Sequence, residues 1–149
     1  MYSDVVTVFC RRKSRSGDMW YPTVVHGANL NVNRAAIVAK YGADSKDNAV
    51  LNIHYTTSEG QITIAEKIYL SPKEWQRQRD EKNASSITFT AGADFDFFME
   101  GEYEGAEPIP DDDYTDGFYN YMNSNYDNVF SITSVAKYSV IPLFEIMGA

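Results

Sequence analysis

Half of this chain is nearly without positive charge. Residues 83–149 carry Lys137 alone against twelve Asp and Glu, a balance of −11. Residues 1–82 carry twelve Lys and Arg against nine Asp and Glu, a balance of +3. With no basic face in the second half and a net charge of −8, the chain is not a general nucleic-acid binder. Cysteine is almost missing too. The single Cys10 excludes an internal disulfide framework and any multi-cysteine metal site, and reads as a half-buried thiol in a first strand. The two histidines, His26 and His54, have no flanking ligands and read as strand or turn residues. No apolar run approaches the ~20 residues of a membrane span, so no membrane partner is expected. The opening Met-Tyr-Ser-Asp-Val-Val lacks the basic and apolar regions of a signal peptide, which leads us to expect synthesis and retention in a cytoplasm.

Catalytic signatures are missing as well. There is no Gly-x-Ser-x-Gly elbow, no phosphate-cradling Gly-x-x-x-x-Gly-Lys and no Cys–His pair in a recognisable context. The acidic run invites a calcium reading. Counted from Asp111, however, an EF-hand would need Gly at the sixth place and Glu at the twelfth, where this chain has Asp116 and Met122. Among twenty-one acids, a pair such as Asp96 and Glu100 carries no glycosidase signal. The expectation is a non-enzyme with no cofactor and no metal.

What is present is aromatic and β-branched. Eleven Tyr and eight Phe in 149 residues suit strands and interfaces, and the length suits one domain with its own core. Asp4 to Cys10 reads as a strand, Arg11 to Asp18 as a turn with its tight point at Gly17-Asp18, and Met19 to Gly27 as the return strand. The tip of that hairpin carries Arg11, Arg12, Lys13 and Arg15, a candidate contact for phosphate or an acidic partner beside the plainer reading of a solvated tip. Residues 29–42 fit either a short helix or a buried strand, with strand favoured, and Ala43 to Asn48 fits a polar turn. Ala49 to Thr56 reads as a strand that Thr57 to Gly60 folds onto Gln61 to Ala65, with Ile62 and Ile64 on one side.

Ser71-Pro72-Lys73-Glu74 starts a helix over residues 71–81, since Ser71 can cap, Pro72 suits the first turn and Glu74 completes a capping box. Trp75 is its one large apolar anchor. Ile87 to Thr90 and Phe95 to Glu100 read as strands about a Gly92 turn. Gly101 to Asp113 reads as a loop, and Asp116 to Asn125 as a short helix capped by Thr115 or Asp116, with Phe118, Tyr121 and Met122 on one side. The acids of the 101–125 stretch, Glu102, Glu104, Glu107, Asp111, Asp112, Asp113 and Asp116, form a candidate partner-facing surface. The chain closes on a hairpin, with a strand near Val129 to Thr133, a turn at Ala136 to Ser139 and a return strand from Val140 to Met147. Pro142 pushes that return strand toward a sheet edge. The class is therefore mainly β, with one or two short helices and an acidic insertion.

Three stretches, in this order, resemble the head–tail joining proteins of long-tailed phages, the stopper or minor capsid family of Firmicutes prophages. They are Asp4-Val5-Val6-Thr7-Val8 with Trp20-Tyr21-Pro22-Thr23-Val24-Val25-His26-Gly27, Tyr69-Leu-Ser-Pro-Lys-Glu-Trp-Gln76, and the C-terminal hairpin from Tyr126 to Gly148. The resemblance implies a small antiparallel β-barrel or sandwich with inserted loops and a virion location at the head–tail interface. It implies a homo-oligomeric ring that contacts portal or adaptor and tail terminator proteins and closes the capsid. Double-stranded DNA would pass through the ring without specific binding. The basic front and acidic back would then let copies pair head to tail, with the acidic loops repelling phosphate along the channel. A different class of reading is a monomeric acidic β-domain that binds a basic host protein or mimics DNA. The crowding of carboxylates into loops suits mimicry poorly.

Overall fold

In the computed structural model, residues 3–32 and 49–149 are described. Eleven strands fall among these residues: β1 (Asp4–Arg12), β2 (Met19–Val32), β3 (Ala49–His54), β4 (Thr56–Ser58), β5 (Gln61–Ile64), β6 (Lys67–Tyr69), β7 (Ser86–Ile87), β8 (Phe97–Glu100), β9 (Ile109–Pro110), β10 (Val129–Tyr138) and β11 (Leu143–Gly148). Three short helices join them, α1 (Pro72–Arg77), α2 (Asp80–Asn83) and α3 (Phe118–Asn125), with a 3-10 turn at Asp111–Asp113. The strand order β1-β8-β10-β11-β3-β2, closed by pairing of β2 with β1, makes a six-stranded antiparallel barrel. Closure leaves none of the six with a free edge, which answers the hazard that an apolar hairpin otherwise poses.

The alternation along β1 explains the interior. Val6, Val8 and Cys10 pack inside with Phe98, Phe130 and Ile132, while Phe9 belongs to a second cluster outside the wall with Phe97, Met99 and Val129. This stretch of wall is therefore buried on both faces, and Phe97-Phe98-Met99 reads as an unbroken apolar run because each side has a core to fill. The outer cluster is covered by the 101–125 segment, through Ile109, Phe118 and Met122. The acidic insertion is thus a cap with an apolar underside.

A four-stranded sheet, β4-β5-β6-β7, and α1 close one mouth of the barrel. Trp75 is fully buried there, edge-on to Tyr21 at 5.7 Å, as its isolation on a polar helix predicts. Ser71 and Glu74 bond side chain to side chain at 2.8 Å, rather than through a capping box to the backbone, and the helix stops at Arg77 before α2 begins. At the other end of the chain, a Cβ on Gly148 would lie 2.8 Å from both Phe130 and Phe98, so only glycine lets β11 approach the wall's core this closely.

Several local expectations shift because distant pairings win. The turn expected at residues 57–60 narrows to 59–60 and joins β4 to β5, while β3 leaves that hairpin to pair with β11 and β2. The expected hairpin about Gly92 is absent, since β7 pairs in parallel with β6 and β8 enters the barrel. The C-terminal turn falls at residues 139–142. Pro142 sits in it, so β11 carries no proline and runs between β10 and β3 instead of along an edge. The alternatives for residues 33–42 and the turn at Ala43 to Asn48 lie outside the described residues. Among the described residues no helix is long and apolar enough to cross a membrane.

Asp96 fastens the segment before β8 to the end of β1. Its buried carboxylate accepts the Arg11 N–H at 2.9 Å and the Thr90 N–H at 2.8 Å. Burial nonetheless raises its pKa to about 7, with the two N–H bonds working against the rise. A folded value above the unfolded one means the native state holds a proton that the unfolded chain has released. Stability therefore falls as pH rises from about 4 to about 7 and levels above that. In urea unfolding, the advantage of wild type over Asp96→Asn is expected to shrink across this window, and a difference constant with pH would contradict the assignment.

Candidate interaction surfaces

The cap is tied down by one carboxylate. β9 pairs with Met19 and Trp20 at the start of β2, and the Asp111 N–H donates to the Asp18 carbonyl at 2.9 Å. This sets Asp111 Oδ1 to accept the Trp20 indole N–H at 2.9 Å and the Phe118 N–H, at the start of α3, also at 2.9 Å. Gly117, at φ +89°, brings the backbone so near that a Cβ there would stand 3.4 Å from the same oxygen. α3 is thus capped by Asp111 from across the loop, and neither Thr115 nor Asp116 fills that role. On the other side Arg11 bonds Asp18 at 2.9 Å, approaches Asp111 Oδ2 at 3.4 Å and lies 5.0 Å over the Trp20 ring. Burial alone would raise the Asp111 carboxyl, but Trp20, Phe118 and Arg11 together hold it below its usual range.

The predicted acids divide accordingly. Glu102, Glu104, Glu107, Asp112, Asp113 and Asp116 are exposed on the cap, whereas Asp111 is turned inward. The predicted basic tip divides in the same way. Arg11 belongs to the Asp111 junction, Arg12 donates to the Gln78 carbonyl at 3.1 Å, and Lys13 sits 4.2 Å from the Phe95 ring. Arg15 and Lys13 are exposed. The tip and the cap are neighbours, since a Cβ on Gly17 would lie 3.1 Å from Asp112 Oδ2. The charge asymmetry is therefore met partly within one chain.

Beside the acids the cap shows tyrosines. Tyr114 and Tyr121 have ring centroids 4.7 Å apart, and Tyr121 and Tyr126 are exposed. Tyr121 was expected on the packed side with Phe118 and Met122; only those two are buried. Asp113, Tyr114, Asp116, Asn120 and Tyr121 line a shallow groove of about 360 Å³. Aromatic faces among carboxylates suit a cationic side chain.

The buried thiol and the half-buried lysine have structural partners, whereas the Trp75 indole N–H, inside the core, has no hydrogen-bond acceptor among the described residues. Cys10 Sγ donates to the Thr88 carbonyl at 3.2 Å, and burial, helped by Asp96, pushes its thiol well up, so it is inert rather than nucleophilic. Lys67 donates to the Pro22 carbonyl and Thr23 Oγ1, and burial lowers its pKa. Among the described residues no group of three or more His, Cys, Asp or Glu is placed to hold a metal ion.

The sequence reading missed one surface. Tyr138, Val140 and Ile141, in and beside the β10–β11 turn, are 49%, 97% and 60% exposed. Tyr55 holds both ends of this turn, its O–H on the Tyr138 carbonyl at 2.8 Å and its N–H on the Pro142 carbonyl at 3.2 Å. The available signal was an aliphatic pair between Ser139 and Pro142, a place where turns are ordinarily polar.

If Asp111 ties down the cap, Asp111→Ala leaves a partly buried indole and a helix N-terminus without their acceptor. It should cost roughly 1–3 kcal/mol and disturb Trp20 fluorescence. Exposed Asp112→Ala should stay within about 0.5 kcal/mol of wild type. Equal effects in denaturant titrations would refute the distinction.

No curated protein and no solved structure matches this chain. One family model does, over residues 1–149, and it is described as a family of unknown function. The chain belongs to that family, DUF6751.

Proposed function

We propose that this protein is a structural subunit of a phage virion, made in the bacterial cytoplasm. In this reading copies form a ring at the head–tail interface between portal or adaptor and tail terminator, and packaged DNA passes through without specific binding. The observation that carries the proposal is a closed barrel with two outward features, a cap bearing six exposed carboxylates and a rigidly held apolar turn. A ring subunit needs a side-chain surface for its neighbours, because a closed barrel offers them no strand edge. A conduit for a duplex works better when its wall repels phosphate, and the exposure of Glu102, Glu104, Glu107, Asp112, Asp113 and Asp116 on the cap supports that reading. The stretches that resemble phage joining proteins form the β1–β2 hairpin, α1 with its Trp75 plug, and the β10–β11 hairpin, so they belong to the barrel and its closure.

A second reading, a monomeric domain that binds a basic protein, draws on the groove between Tyr114, Tyr121, Asp113 and Asp116. Mimicry of DNA has less support, since the acids crowd onto one cap. The two readings part when the purified chain is mixed with the portal ring of its own phage and imaged by electron microscopy. The connector reading predicts an added ring with an open channel. A chain that stays monomeric beside the portal but binds Lys- and Arg-rich peptides through Tyr121 would overturn it in favour of the second.

A further inference from the structure

We propose that the β10–β11 turn is a knob that inserts into an apolar hollow on α1 of a second copy of this chain. The proposal names the contact that would build the ring above, and so rests on that reading. Val140 and Ile141 project with little of their surface covered, yet the turn is held at both ends by Tyr55. A preorganised apolar projection gives up little conformational freedom on docking, whereas a mobile one would give up more.

The same chain carries a matching receptor. Pro72, Gln76, Thr90 and Phe95 border an open hollow of about 410 Å³ whose wall is almost wholly apolar, with Lys73 and Arg77 at its rim. Two aliphatic side chains fit such a space. Charge favours a copy of this chain as the occupant. Lys73 and Arg77 make the border of the hollow cationic on a chain of net charge −8, and Glu145 stands beside the knob. Lys137 also borders the turn, so replacing it with Glu is expected to tighten the contact.

Position favours a ring. β1, β3 and β10 finish at the end of the barrel where β2, β8 and β11 begin. The knob follows β10, and the hollow lies where Gln76 bonds the Arg11 carbonyl and Phe95 precedes β8. Two different patches at one end of the barrel make a heterologous contact, the kind that generates a ring when its rotation closes.

The test is disulfide trapping. Val140→Cys combined with Arg77→Cys, at high protein concentration under mild oxidation, should give a ladder of linked multimers that Lys137→Glu strengthens. Buried Cys10 stays silent. Val140→Cys paired with Ser124→Cys on the exposed cap supplies the background. A ladder no stronger than that background, or dimers formed as readily by Val140→Cys alone, would overturn the proposal. Portal-bound rings without trapping remove the knob contact and leave the connector reading. Trapping without channelled rings keeps the contact and removes the connector reading.

Discussion

A half-buried carboxylate has to be matched by donors, and the Asp111 side chain obtains them from three parts of the chain. The Trp20 indole comes from β2, the Phe118 amide from the start of α3, and the Arg11 guanidinium from the end of β1. Hydrogen bonds to an ionised acceptor are the stronger kind, and removing the acceptor leaves the buried donors unpaired. The cap's position on the barrel depends on this junction. Once it is in place, Phe118, Met122 and Ile109 shield the outward side of Phe9 and Phe97 from water. Without it a row of aromatic side chains on the barrel wall would face solvent, a surface that favours aggregation.

Two-sided burial of one wall accounts for much else. The barrel interior is filled by Val8, Phe98, Phe130 and Ile132, while the stacked pair Phe9 and Phe97, at 4.6 Å, belongs to the outer layer. The chain thus makes two cores from one set of strands. Six of its carboxylates are carried exposed on the cap, outside both cores. Charge and stability are thereby separated, and the six exposed acids are free to meet a partner or to repel one.

The local signals proved readable and the distant ones did not. Ser71-Pro72 announced a helix, Trp75 announced an anchor, and the alternating residues of β1 announced a strand, because each depends on neighbours within one or two turns of chain. The mainly β class is present, and of the barrel or sandwich that the phage resemblance implies the chain forms the barrel. The pairing of β3 with β11 was hidden, because register between segments so far apart is set by tertiary packing. The C-terminal turn was placed early because Lys137 and Tyr138 are polar-edged residues that still belong to β10, while the aliphatic Val140 and Ile141 form the turn. In Asp111-Asp112-Asp113 nothing local distinguishes the residue that turns inward. That choice is made by β9, which pairs with Trp20 and aims the next side chain at the indole.

Native-state hydrogen exchange tests most directly whether the cap is part of the fold. If the Asp111 junction holds as described, the Phe118 amide and the Trp20 indole N–H should exchange as slowly as the Val8 amide in β1, through global unfolding. Exchange of Phe118 and the indole at loop-like rates, with Val8 still protected, would show a cap that opens by itself and would contradict the account.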